Sequence, residues 1–169
     1  MRHTQPVSMV IIHCQVVCGR GATAVIAPDG RLMVAGDNVS NRLGLDTETG
    51  PPVSRVNVFR PALGHIGPVL AMDIGNAVSL VLTRSGEVWR LGGDNRTCVR
   101  LELGLEVCLV SALAHMGLVV TPGGEVYTLT YKRGNKTRIE VEAELTSTMR
   151  PARIEKNSES LCLVHYQTK

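Results

Sequence analysis

Gly19-Arg-Gly-Ala-Thr-Ala-Val-Ile-Ala-Pro-Asp-Gly30-Arg-Leu-Met-Val-Ala-Gly36-Asp-Asn38 has a counterpart in Gly75-Asn-Ala-Val-Ser-Leu-Val-Leu-Thr-Arg-Ser-Gly86-Glu-Val-Trp-Arg-Leu-Gly92-Gly-Asp-Asn95. In both stretches eleven positions separate the first glycine from the second (30 − 19 and 86 − 75), and six separate the second from the third (36 − 30 and 92 − 86). Two intervals preserved together mark a repeated structural unit. A worn third copy runs through Leu118-Val-Val120 and Gly124-Glu-Val-Tyr-Thr-Leu-Thr130, with Leu113 and Thr130 at the positions of the outer glycines. From Gly30 to Gly86 is 56 residues and from Gly86 to Gly124 is 38, so insertions are expected between units.

Each copy reads as short strands joined by tight turns. Pro28-Asp-Gly30 presets one turn dihedral with proline and supplies a residue tolerant of positive φ. Thr83-Arg-Ser-Gly86 and Pro122-Gly-Gly124 serve the same purpose in the later copies. The flanking segments, Thr23–Ala27 with Arg31–Ala35 and Ser79–Leu82 with Glu87–Leu91, are β-prone hairpin arms. Further on, Ile139, Val141, Ala143 and Leu145 alternate with Glu140, Glu142 and Glu144, which predicts a strand over 137–146 with one charged face that discourages edge pairing. The Pro- and Gly-rich connector from Gly50 to Pro68 predicts a loop or an irregular outer strand, and Leu161–Val164 a final strand or the start of another unit. No long amphipathic helix is predicted. The expected class is therefore all-β, with radial repetition of small sheets accounting best for the shared cadence.

The chain has 169 residues, the length of one ordinary domain, and is read as a single repeat region over 1–169 with unit cores at 16–45, 72–95 and 108–130 and a strand and divergent tail over 131–169. With one Trp, one Phe and three Tyr, its core must be built from Val, Leu, Ile and Ala. Residues 1–131 hold ten Arg, no Lys and ten acids, whereas 132–169 hold eight cations against five acids. A surplus this small, confined to the tail and interrupted by glutamates, gives no clear nucleic-acid or membrane signal. The odd set of Cys14, Cys18, Cys98, Cys108 and Cys162 contains no Cys-x-x-Cys pair and reads as reduced, partly buried thiols. Val7–Val17 is too short and too polar to span a bilayer and is not followed by a cleavage pattern. The expected compartment is intracellular and cytoplasmic.

The pattern Val17-Cys-Gly-x-x-x-Thr-Ala-Val-x-x-x-Asp-Gly-x-Leu-x-x-x-Gly-Asp-Asn-x-x-x-x-Leu-Gly-Leu45 resembles the repeat of the regulator of chromosome condensation (RCC1) family. The wording Cys18-Gly-Arg-Gly-Ala-Thr-Ala-Val25 with Asn41-Arg-Leu-Gly-Leu-Asp46 looks most like the RCC1-like region that follows the kinase domain in some NIMA-related protein kinases. The resemblance implies a β-propeller, seven-bladed in that family. With about three units, this chain makes a partial ring that it does not close alone. A truncated product, a chain that pairs with another to complete the propeller, and a shortened paralogue are the three explanations. The repeat signature comprises Cys18, Gly19, Gly30, Gly36, Asn38, Leu43, Gly44, Gly75, Gly86, Trp89, Gly92 and Gly124. By the same resemblance the chain associates with a protein partner or an attached kinase domain, and cytoskeletal or ciliary association is implied.

Catalytic readings find little support in the residues. Gly19-Arg-Gly-Ala-Thr-Ala24 imitates a dinucleotide-binding turn, but Pro28-Asp-Gly30 stops the chain where that motif needs a helix to meet the pyrophosphate. His13, Cys14 and Cys18 match no familiar four-ligand spacing, and Cys18 is expected as a buried thiol packed in the sheet. Asp37-Asn38 and Asp94-Asn95 recur at one place in successive units, which suits side-chain-to-backbone bonding in a turn. Trp89 reads as core packing, and His65, His115 and His165 are isolated. No set of kinase motifs is present, and any kinase activity belongs to a longer parent. The expectation is a non-catalytic protein-binding or regulatory module without metal or cofactor, related to the regulatory region of a NIMA-related serine/threonine kinase. The alternative, also implied by the resemblance, is guanine-nucleotide exchange on a small GTPase.

Overall fold

The glycine-punctuated units fold as antiparallel meanders. A computed structural model describes residues 14–46, 50–93, 96–113, 116–131, 137–143, 149–156 and 162–168. Blade 1 contains β1 (Gln15–Gly19), β2 (Ala22–Ile26), β3 (Leu32–Asp37) and β4 (Arg55–Ala62), hydrogen-bonded in that order. Blade 2 contains β5 (Val69–Ile74), β6 (Val78–Thr83), β7 (Val88–Gly92) and β8 (Thr97–Leu101). Blade 3 contains β9 (Leu109–Ala112), β10 (Met116–Val120), β11 (Val126–Tyr131) and β12 (Thr137–Ala143). A two-stranded sheet of β13 (Met149–Lys156) and β14 (Cys162–Thr168) follows.

The three blades share one register. Val16, Val25 and Met33 lie side by side across blade 1, as do Met72, Val81 and Trp89 across blade 2 and Val110, Val119 and Tyr127 across blade 3. The turns repeat as well. Gly30, Gly86 and Gly124 each donate a backbone hydrogen bond to the carbonyl three residues earlier, at Ala27, Thr83 and Thr121. Gly75 N–H bonds Val78 O and Leu113 N–H bonds Met116 O, which places Leu113 at the first-glycine position of the third unit. Thr130 pairs with Met116 as Gly36 pairs with Ala22, so it occupies the third-glycine position.

The apolar faces meet between blades. Ala22, Ala24, Ile26, Leu32 and Val34 of blade 1 bury against Met72, Ile74, Val81 and Leu91 of blade 2. Leu80, Leu82 and Val88 on the opposite face of blade 2 bury against Val110, Ala112, Val119 and Leu129 of blade 3. Leu118, Val120 and Val126 form a third cluster, with Ile154 of β13 packed against it. Fully burying an aliphatic side chain is worth about 1.5–3 kcal/mol, so these layers are the main cohesion of the stack. β1 lies against β5, β5 against β9, and β9 against β13, tracing an arc. Among the described strands none returns to pair with blade 1. The fold is a partial RCC1-type β-propeller with an open ring.

The connector over 50–68 proves to contain a true outer strand, β4, paired with β3 through a register shift between Val34 and Gly36. Its exposure at six of eight positions conceals it from any apolar periodicity. The 137–146 expectation corresponds to β12 as far as Ala143, the rest lying outside the described residues. Leu161–Val164 falls largely in β14, while its partner β13 has no counterpart in the sequence reading. Among the described residues no helix is long and apolar enough to cross a membrane.

Candidate functional site

Of the repeat-signature residues, Gly19, Gly30, Gly75 and Gly92 lie where one blade meets the next. At Gly19 an added Cβ would lie 2.4 Å from Ile74 O, and at Gly75 it would lie 2.6 Å from Leu113 O. The first glycine of each good copy is therefore where the backbones of successive blades touch. Gly92 has the same character towards the loop after β3, since its Cβ would lie 3.0 Å from Ser40 O.

That loop, residues 38–46, is the most heavily bonded irregular segment. Asn38 is fully buried. Its Nδ2 donates to Val53 O at 2.8 Å and to Asn41 Oδ1 and Asp46 Oδ1 at 3.3 Å, while its Oδ1 accepts from Leu43 N–H at 2.8 Å. Leu43, buried in the first interblade cluster, anchors the loop from below, and Gly44 turns the chain beside Leu63. Arg42, 2% exposed, donates through Nε to Asp37 O at 3.1 Å, through Nη1 to Gly75 O at 3.1 Å and Asn76 O at 2.8 Å, and through Nη2 to Arg20 O at 2.5 Å. One side chain thus satisfies four carbonyls across the junction of blades 1 and 2. Burial lowers the Arg42 pKa, with the Asp37 charge acting in the opposite direction; the guanidinium stays protonated.

Asp46 completes the tie from the other side. Arg96 Nε donates to its Oδ2 at 2.7 Å and Val53 N–H to its Oδ1 at 2.9 Å, while Asn41 Nδ2 reaches Arg96 O at 2.9 Å. Burial opposes the Asp46 charge, but the bonds from Arg96 and Val53 outweigh it and hold the carboxyl below its ordinary value. The reciprocal bond raises the Arg96 pKa. The net arrangement is a loop pinned at both ends whose outermost apolar residue, Val39, is 54% exposed.

The structure sorts the other sequence candidates. Asn38 bonds backbone groups, as expected for a turn residue, whereas the equivalent Asp94-Asn95 lies outside the described residues. Trp89 is half-buried against the first cluster, with His65 edge-on at 6.0 Å between ring centroids. Gly30, Gly86 and Gly124 occupy the hairpin turns, and Gly36 sits at the pairing position of Ala22. Cys18 departs from expectation: it is exposed, as is Cys14. Its side of β1 faces away from blade 2, with the Sγ 3.8 Å from Thr23 Oγ1. Cys98 is half-buried, and burial pushes its thiol up to about 11.

Asn41, Arg42 and Asp46 entered the sequence reading only as part of the Asn41–Asp46 wording, without a role of their own, and Arg96 was not singled out. Their partners lie up to 55 positions away, and no second copy of the loop offered a pattern to compare. Among the described residues no group of three His, Cys, Asp or Glu side chains could hold a metal ion. A shallow cleft of about 280 Å3 lies beside Gly86, Val88 and Leu103. Its charged residues bind one another: Arg100 pairs with Glu87 at 2.7 Å and Glu102 at 2.6 Å. The bond from Arg100, aided by Trp89 N–H, holds the Glu87 carboxyl below its ordinary value.

No family model matches the sequence. Among solved structures, the chain is similar to human WBSCR16, with 16% identity over 91% of this chain and 44% of that one, at a TM-score of 0.66. It is also similar to Prp20p from Saccharomyces cerevisiae, in a structure described with its binding properties to Gsp1p and histones, with 13% identity over 83% and 40% of the two chains and a TM-score of 0.62. A structure of Kap60 bound to yeast RCC1 (Prp20) matches with 17% identity over 69% and 32%, at a TM-score of 0.56. The chain thus spans less than half the length of each of these three structures, and the likeness is one of fold.

Proposed function

We propose that this chain is a non-catalytic, cytoplasmic RCC1-type module that presents loops to a protein partner, a fragment or shortened relative of the regulatory region of a NIMA-related serine/threonine kinase. The observation that carries the reading is the 38–46 loop, in which buried Asn38 and Arg42 fix a backbone that leaves Val39 outward. A fixed frame with an exposed loop lowers the ordering cost of binding. Protein binding by propellers of this fold gives further support: Kap60 is bound to yeast RCC1 (Prp20), and Prp20p binding to Gsp1p and histones has been characterised. The narrower kinase assignment rests on Cys18–Val25 and Asn41–Asp46, whose wording resembles that regulatory region.

The test is affinity capture with wild type, Val39→Arg and an unfolded Gly30→Val, Gly86→Val control. A partner held by wild type, weakened at least tenfold by Val39→Arg and lost in the control is the expected result. Equal capture by wild type and the unfolded control overturns the reading. The exchange reading, favoured by the likeness to Prp20p, is separated by release of labelled guanine nucleotide from a small GTPase. Stimulated release moves the assignment to exchange.

A further inference from the structure

Blade 1 carries an interface that the rest of the arc uses and that it leaves open. Val16, Cys18, Thr23, Val25, Met33 and Ala35 lie on one face of β1, β2 and β3, paired across the strands as Val16–Val25–Met33 and Cys18–Thr23–Ala35. By register these correspond to Met72–Val81–Trp89 and Ile74–Ser79–Leu91 in blade 2. In blade 2 five of the six equivalents are covered by the preceding blade, Met72 at 3% exposed, Ile74 at 1% and Ser79, Val81 and Leu91 at 0%, and Trp89 is half-buried against the same cluster. In blade 1 Val16 is 61% exposed, Cys18 is exposed, and the other four are half-buried. None of the six is charged, whereas a sheet face meant for water alternates to polar residues.

The repeat itself states what covers such a face. In blades 2 and 3 the cover is the opposite face of the preceding blade, lined by residues such as Ala24, Ile26 and Val34 or Leu80, Leu82 and Val88. The far end of the arc, β13 with β14, continues the β1, β5, β9 series of stacked strands.

We infer that this face of blade 1 docks a second copy of the chain, head to tail, with the β13–β14 end of one arc entering where a preceding blade would stand. Two arcs then bury both open ends and complete a ring. The inference rests on the register and burial of the blades and is independent of the partner-binding reading.

Light scattering on the eluting full chain, from low to high micromolar concentration, should give twice 18.2 kDa. Val16→Asp and Met33→Asp should each elute at the single-chain mass with an unchanged far-UV spectrum. Val16 is exposed enough in the isolated arc for aspartate to be tolerated, so at least one variant reports on docking and not on folding. Peptide-resolved alkylation of Cys18 should be slowed at least tenfold in the wild-type dimer and restored in Val16→Asp. A wild type that stays single-chain at every concentration overturns the proposal, as does a dimer in which Cys18 is alkylated at the rate of the single chain. A Cys18–Cys18 link made by a short bis-maleimide reports two copies face to face and overturns the head-to-tail arrangement.

Discussion

A Cβ added at Gly86 would meet no atom within 4 Å, whereas one at Gly30 would lie 2.6 Å from Pro68 Cβ, although both glycines hold the same turn position with φ of +87° and +89°. Gly86→Ala therefore carries only the left-handed backbone cost, about 1–2 kcal/mol. Gly30→Ala adds a clash with the start of blade 2 and should cost about 3–4 kcal/mol in all. Urea unfolding of the two variants measures the difference, and equal costs would remove the interblade contact from the account. The intervals made both positions legible as turn glycines from sequence. They could not separate them, because the obstacle at position 30 belongs to a residue 38 positions on (68 − 30). Cys18 shows the same limit in reverse: its strand was legible, but whether a neighbour covers it depends on what stands before blade 1.

Among the elements, the 38–46 loop ties the first two blades by side chains and not by a strand ladder. Its Asp46 carboxyl is held below the ordinary 3.8, so the folded state binds that proton less readily than the unfolded chain. The resulting stability is fully present above about pH 4 and disappears as pH falls through the depressed value. Asp46→Asn should cost about 1.5–3 kcal/mol at neutral pH, the range for losing hydrogen bonds to a charged group, and should flatten the acid limb of the stability profile. A wild-type and variant difference that stays constant from pH 7 to pH 2 would show that the ion pair is not the source. The repeating hairpins were readable because turn chemistry and alternation are local. The loop network was not, and β4 was legible only as one of two alternatives for its segment: Arg42 and Arg96 act on carbonyls and a carboxylate of distant segments, and β4 exposes most of its side chains.

In the molecule as a whole, the described core residues of blades 1 and 3 pack against opposite faces of blade 2 in separate clusters. Stability in such a stack is close to a sum of unit and nearest-neighbour terms. Leu129→Ala, at a fully buried position of the second cluster, should cost about 2–5 kcal/mol. Hydrogen exchange should then show lost protection in β9, β10 and β11, with β2 and β3 largely unchanged. Uniform loss across all blades would reveal one all-or-none unit. The stacking also has a direction: Val69 N–H bonds Gly30 O at 2.8 Å, and Arg84 N–H bonds Pro68 O at 2.9 Å. During translation the tip of the first hairpin is complete before Val69 leaves the ribosome, so each finished blade can template the next as the chain emerges. Each later blade is therefore added to a surface that is already folded, with the turn of one hairpin serving as acceptor for the first strand of the next blade.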